Sequence, residues 1–184
     1  MTAHANILTP GTLADTAAAR VTVTAAPGRL SLRARGELGA IEGALGLSLP
    51  GKIGGRSQDN GIEALCLGPD EWVLLTAPEN VASVVAAAAA VYDAHPHSLV
   101  DVSARETTVA IDGPRVLDLL CLGMARDPES IAEGEGRRTL FDGQTVLLWR
   151  DGATKFRMDV WHSFAPHLLG LLEIGCRELA AETL

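Results

Sequence analysis

Asp101, Ser103, Arg105 and Glu106 form the most polar knot inside an otherwise strand-like stretch of this chain. If residues 99–103 are a strand, its period of two puts Asp101 and Ser103 on one side. A serine beside a carboxylate becomes a nucleophile only when an imidazole takes its proton. His95 and His97 lie nearby in sequence, yet nothing in the sequence sets either against Ser103. The plainer expectation is an Asp–Arg link that pins a hairpin.

Other residues with chemical potential read in a similar way. His95 and His97 flank Pro96 and could donate two ligands to a metal, but only Asp93 stands near to extend the set. His162 and His167 fall five apart across a helix start, so they do not share a face and read as surface or capping residues. Gly46 to Lys52, GLSLPGK, matches the first seven positions of a phosphate-binding loop. Its eighth position is Ile53 where Mg²⁺ binding needs Ser or Thr, and it follows a helix rather than a strand. Cys66, Cys121 and Cys176 sit in apolar runs with no basic cluster to lower their pKa, and read as reduced, buried thiols of a cytosolic protein. Trp72, Trp149 and Trp161 all fall on or beside hairpin strands. They either pack the core or anchor a partner, since tryptophan is enriched at interface hot spots. None of these groups assembles an active site, so a binding role is the expectation and no catalytic, cofactor-binding or metal-binding residue is assigned. Asp70, Trp72, Trp149 and Trp161 are the candidate partner-interface residues.

The elements that must position these residues follow from periodicity. Residues 1–20 show no clear period and read as an N-terminal arm; 21–184 read as one domain in two halves, about 21–97 and 98–184. Leu30 to Ala34 alternates as a half-buried strand. Leu38, Ile41 and Leu45 keep helical spacing up to Gly46, and residues 50–61 are loop-like. Ala64–Leu67 and Glu71–Thr76 make a hairpin around Gly68-Pro69-Asp70. Pro78 opens a helix that runs to about Asp93. The second half repeats the order. It has strands at 99–103 and 107–111, then a helix after Gly113-Pro114 with Val116, Leu117, Leu120 and Leu122 on its apolar face. An irregular stretch spans 124–138. A hairpin turning at Asp151-Gly152 follows, and a last helix capped by Ser163. Arg35-Gly36 aligns with Asp112-Gly113, and Cys66-Leu67 with Leu147-Leu148. The fold class is therefore α+β: two pseudo-repeated units of antiparallel sheet with helices packed on them.

Composition narrows the function. With 184 residues and 47% apolar content the chain can build its own core. A net charge of −8 argues against binding a phosphate backbone, and seven aromatic residues are too few for a base-stacking platform. Met1 to Arg20 has neither the basic start nor the apolar stretch of a signal peptide, and the alanine run after Val81 is too short to span a bilayer. Neither nucleic acid nor membrane is an expected partner, and the expected location is cytoplasmic.

LGPDEW at 67–72, followed by an apolar strand, resembles the gamma subunit of heterotetrameric sarcosine oxidase. VDVS at 100–103, IDGP at 111–114, TVLLWR at 145–150 and Ser163-Phe164-Ala165 resemble that family's segments in the same order. The resemblance spans about residues 29–180. It implies a small non-catalytic subunit with a fold similar to the folate-binding region of aminomethyltransferases. Its partners would be alpha, beta and delta chains, chiefly the large alpha or beta chain. Such a complex oxidatively demethylates sarcosine to glycine and passes the one-carbon unit to tetrahydrofolate, with FAD, FMN, NAD and zinc on the other subunits. Residues 123–138 are more acidic and glycine-rich than the family's pattern, which leaves open a complex acting on another N-methyl amino compound. The rival reading is a free-standing folate-binding or one-carbon-transfer protein, with Asp101 or Glu106 to hold a pterin.

Overall fold

The structure, a computed structural model, describes residues 8–182. The chain opens with β1 (Gly11–Asp15) and β2 (Arg20–Val23). A first run follows: β3 (Gly28–Ala34), α1 (Gly39–Leu45), β4 (Arg56–Asp59), β5 (Ile62–Gly68), β6 (Glu71–Thr76) and α2 (Val81–Ala89). After β7 (His97–Asp101) the run recurs as β8 (Glu106–Asp112), α3 (Val116–Cys121), β9 (Gly136–Phe141), β10 (Gln144–Gly152), β11 (Lys155–Trp161) and α4 (Ala165–Ala181). All strand pairs are antiparallel, and the helices pack on the two sheets they form, as the α+β expectation requires. Among the described residues no helix is long and apolar enough to cross a membrane.

The chain divides into two units, residues 26–103 and residues 1–25 with 104–184. The first holds a five-stranded sheet in the order β4-β5-β6-β3-β7. The second holds a six-stranded sheet in the order β9-β10-β11-β8-β2-β1. Read from β4 and from β9, the two orders are the same, and the second carries one strand more. Each run therefore borrows its fifth strand from the segment that precedes the other run. β7 leads into β8 yet pairs with β3, and β2 leads into β3 yet pairs with β8. The division consequently falls at 25/26 and 103/104 rather than near 97/98.

Each unit has its own apolar core. In residues 26–103, Leu30, Leu32, Ala64, Cys66, Trp72 and Leu74 face α1 and α2 from alternate strand positions. In the other unit, Val109, Ile111, Leu148, Phe156, Met158 and Val160 meet Leu119 and Leu120 of α3 and Leu168, Leu169 and Leu172 of α4. Burying one such side chain is worth about 1.5–3 kcal/mol before entropy is charged. α3 buries Val116, Leu119 and Leu120, and leaves Leu122 58% exposed, so the expected apolar face is rotated. α2 stops at Ala89 instead of Asp93, and the cap of α4 is Phe164 with no side-chain bond from Ser163.

Three strands escape a periodicity reading for a common reason. β4 and β9 are sheet edges with polar or half-exposed side chains, so little alternation marks them. β1 lies inside the expected N-terminal arm, whose residues 1–7 fall outside the described part. Its register with β2 slips between Thr12 and Ala14, and its inward residue is a small one, Ala14. Residue 113 is glycine because it packs against the buried Ala18-Ala19 backbone: a Cβ at Gly113 would lie 2.6 Å from the Ala19 Cα and 2.8 Å from the Ala18 carbonyl oxygen.

The two hairpins share a device that moves one predicted turn. Gly68 pairs with Glu71 after a bulge at Leu67, which leaves Pro69-Asp70 as the turn. Gly152 pairs with Lys155 after a bulge at Asp151, so the second turn is Ala153-Thr154 and not Asp151-Gly152. Asp151 is occupied in that bulge, where its carboxylate accepts from Arg157 Nε at 2.6 Å. Matching the bulges sets Cys66 against Arg150 rather than Leu147, which corrects the repeat alignment.

The close approach at Gly113 predicts a large contrast between two glycines of positive φ. Gly113→Ala combines strain at φ +138° with a backbone clash and should cost about 3 kcal/mol or more. Gly143→Ala, at φ +74° with open space, should cost about 1 kcal/mol. Denaturant unfolding of both variants checks this, and equal losses would contradict the packing of 18–19 on Gly113.

Candidate functional site

The polar knot resolves into two separate pairs. Asp101 ends β7, and its Oδ1 accepts from the Ser103 amide at 2.9 Å and from the Ser103 hydroxyl at 2.5 Å. Ser103 Oγ in turn accepts the Arg29 amide at 2.9 Å, so this turn ties the end of β7 to the start of β3. The Ser103 hydroxyl, and then its amide, hold the Asp101 carboxyl below the ordinary carboxylate range. The serine's proton is thus committed to a surface carboxylate. Arg105 pairs instead with Glu106, at 3.1 Å from Nε and 3.0 Å from Nη2, and lies over the Trp161 ring at 5.7 Å from its centroid. The expected Asp101–Arg105 link is not formed: Asp101 is taken by Ser103 and Arg105 by Glu106.

The remaining polar candidates are absorbed by local structure. His97 Nδ1 is 2.7 Å from the His95 carbonyl oxygen, and its ring meets Tyr92 edge-on at 5.6 Å. His162 Nδ1 is 3.4 Å from Thr107 Oγ1, and His167 Nε2 is 2.6 Å from Asp142. Among the described residues no group of three or more His, Cys, Asp or Glu could hold a metal ion. In GLSLPGK, Gly46 caps α1 at φ 65°, Leu47 and Leu49 are buried, and the Pro50 carbonyl accepts from Trp72 Nε1 at 2.9 Å. The segment is a helix cap and a piece of core, not a phosphate cradle.

The thiols are held protonated. Cys66 and Cys176 are buried as expected, whereas Cys121 is exposed. Burial pushes all three above the ordinary thiol range. At Cys121 the nearby carboxylates of Asp127, Asp118 and Glu129 add to that push.

The four candidate interface residues divide sharply. Trp72 is 2% exposed and Trp149 is fully buried, so neither ring is available to a partner. Their burial corrects the anchor reading in favour of packing. Trp149 Nε1 donates to Asp159 at 2.7 Å, and Thr108 Oγ1 donates to the same carboxylate at 2.6 Å, which ties β8, β10 and β11 together. Trp161, at the end of β11, is 47% exposed. Asp70 sits in the first hairpin turn, accepts from Arg35 Nε at 2.7 Å and Arg33 Nη1 at 3.1 Å, and is held below the usual carboxylate range chiefly by the Arg35 bond.

Two adjoining clefts of the 26–103 unit meet at His97 and Ser98. One, of about 420 Å³, is bordered by Arg33, Arg35 and Asp70. Its cations are already matched by Asp70 and by Glu71, 3.0 Å from Arg33. The other, of about 490 Å³, is a groove between α2 and β7 lined by Val85, Ala88, Ala89, Tyr92, Asp93 and Leu99. Sequence reasoning missed this groove, which lies where residues of α2 and of the edge strand β7 come together.

No protein-family model matches the chain, and no curated protein matches it by sequence. Among solved structures it is similar to a chain of the heterotetrameric sarcosine oxidase from Corynebacterium sp. U-96, solved in complex with pyrrole 2-carboxylate. The identity is 27%, the match covers 91% of this chain and 88% of that one, and the TM-score is 0.78. It is also similar in fold to aminomethyltransferase T of the glycine cleavage system from Bartonella henselae, at 14% identity and a TM-score of 0.60. That match covers 79% of this chain and 43% of the transferase, so this chain spans less than half of that protein.

Two outcomes follow from the committed side chains. In the native chain one thiol, Cys121, should react with a disulfide reagent, at a rate that still climbs with pH where an ordinary thiol has levelled off. Fast reaction of two or three thiols at neutral pH would contradict this. Ser103→Ala should raise the Asp101 pKa in a carboxyl NMR titration. A depressed folded-state pKa stabilises above the unfolded value and is lost as pH falls through the folded one. The variant should therefore lose stability at neutral pH and lose less of it in acid. An unchanged Asp101 titration would contradict the bond.

Proposed function

We propose that this chain is a non-catalytic accessory subunit, of the gamma type, in an assembly related to heterotetrameric sarcosine oxidase. The observation that carries the reading is the likeness to a chain of such an oxidase along 91% of this chain and 88% of the other. Both chains are matched nearly end to end, so the resemblance concerns a whole subunit and not a shared module. The assembly would oxidatively demethylate sarcosine, or another N-methyl amino compound, in the cytoplasm and pass the one-carbon unit to tetrahydrofolate. FAD, FMN, NAD and zinc would sit on the alpha, beta and delta chains, and this chain would dock chiefly on the large alpha or beta chain.

The committed state of the polar side chains supports a docking role. Ser103 serves a turn, the thiols are held protonated, and Trp72 and Trp149 fill interiors. Trp161, with Arg105 over its ring, and Asp70 at a hairpin tip are the expected interface residues that reach the surface. A stable subunit interface buries on the order of 1,600 Å² or more.

The rival reading, a free-standing folate-binding protein, draws on the transferase-like fold alone. Its two carboxylates are engaged, Asp101 by Ser103 and Glu106 by Arg105. Co-expression of the tagged chain with the large flavin-bearing chains tests the proposal. The expected result is co-purification with flavin absorbance, and no heat on calorimetric titration of the isolated chain with tetrahydrofolate. Recovery of the chain alone and monodisperse, with the large chains present in the same cell, would overturn the proposal, and one-to-one tetrahydrofolate binding would favour the rival.

A further inference from the structure

The two units differ by one strand, and the difference marks a place. In the six-stranded sheet β1 lies antiparallel beside β2, and α4 packs across it. In the five-stranded sheet β7 holds the position of β2 and α2 that of α4. No described strand of this chain lies beyond β7, which pairs with β3 on one side only. A groove of about 490 Å³ between α2 and β7 runs along that side. Tyr92 after the helix is 51% exposed there, and Val100, on the strand face opposite Leu99, is equally exposed. An exposed strand edge offers unpaired backbone N–H and C=O groups as a template for another strand.

We infer that β7 receives an extended segment of a partner polypeptide as an added antiparallel strand, in the place that β1 takes beside β2. The chain's own β1 shows what such a strand needs. It is short, and it turns Ala14 into the core with Leu13 packed partly against it. The groove beside β7 asks for the same modest size, being lined by Val85, Ala88, Ala89 and Leu99. Charge specifies the flanks. Asp93 borders the groove and Asp101 ends the strand, and neither is paired with a cation among the described residues. The arginines of the adjoining cleft are already matched by Asp70 and Glu71. The incoming strand therefore carries small apolar residues at alternate positions and a lysine or arginine on either side. Main-chain pairing would supply affinity, and the groove and carboxylates selectivity. A second copy of this chain is disfavoured, because it would bring the same carboxylates and another net charge of −8.

This deepens the accessory-subunit reading and rests on it, but it fails separately. If the chain co-purifies with the large subunits and Val100→Lys and Ala89→Trp variants do so equally well, docking stands and the β7 site is refuted. A direct test titrates the isotope-labelled full chain with a capped peptide carrying the β1 sequence GTLA between two lysines. The expected amide shifts are confined to residues 85–93 and 97–101, with cross-strand contacts between peptide and β7. Ala89→Trp, checked for native spectral dispersion, should abolish them. Asp93→Asn combined with Asp101→Asn should weaken binding several-fold, and glutamate flanks should weaken it further. Shifts elsewhere, no shifts at millimolar peptide, or equal binding by the glutamate-flanked peptide would overturn the proposal. Concentration-dependent changes at β7 without peptide would overturn it in favour of a second copy.

Discussion

The antiparallel ladder between β3 and β7 governs much of this molecule. It joins Leu30 to Asp101 and Ala34 to His97, and so draws the segment that precedes the second run of elements into the sheet of the first. Its counterpart, β2 on β8, does the reverse. The 26–103 sheet is completed within one continuous segment, whereas the six-stranded sheet needs β1 and β2 from before that segment and β8 to β11 from after it. Such non-local pairing is entropically costly to form and slow to fold. The turn at Asp101 and Ser103 follows from the ladder, since it fastens the last residue of β7 to Arg29 at the start of β3.

This constraint also accounts for the most chemical-looking residues in the chain. A serine two positions from an aspartate suggests a reaction, but the pair closes a strand end. The tryptophans behave likewise: Trp72 bonds the Pro50 carbonyl and holds the loop after α1 over its core, and Trp149 shares the Asp159 carboxylate with Thr108. A buried carboxylate satisfied by donors from β8 and β10 fixes their register on β11, and loss of one partner would leave a costly unpaired group. The polar side chains serve architecture first.

Much of the architecture was legible because large apolar residues alternate or recur at helical spacing, as in Leu30–Ala34, the β5–β6 hairpin and α4. The order of the repeat and its α+β class followed from those segments. What was not legible lay where packing demands small or polar residues. β1 and the buried alanines at 18 and 19 carry little hydrophobic signal, because their inward residues are alanines. β4 and β9 are edges with mixed faces. The bulge at Asp151 moved a turn that the Asp-Gly dipeptide had marked, since a bulge is decided by the partner strand. For the surface, sequence could name Trp161 and Asp70 but could not tell them from the buried Trp72 and Trp149. That distinction depends on which strand position faces a core.

The central claim is that the chain acts by giving up surface to larger neighbours. Amide hydrogen exchange, followed by mass spectrometry on the chain alone and in its co-purified assembly, addresses this most directly. The account predicts new protection in surface segments of the assembled chain while the core strands β5, β6, β10 and β11 exchange as before. Identical uptake along the whole chain in the two states would contradict it.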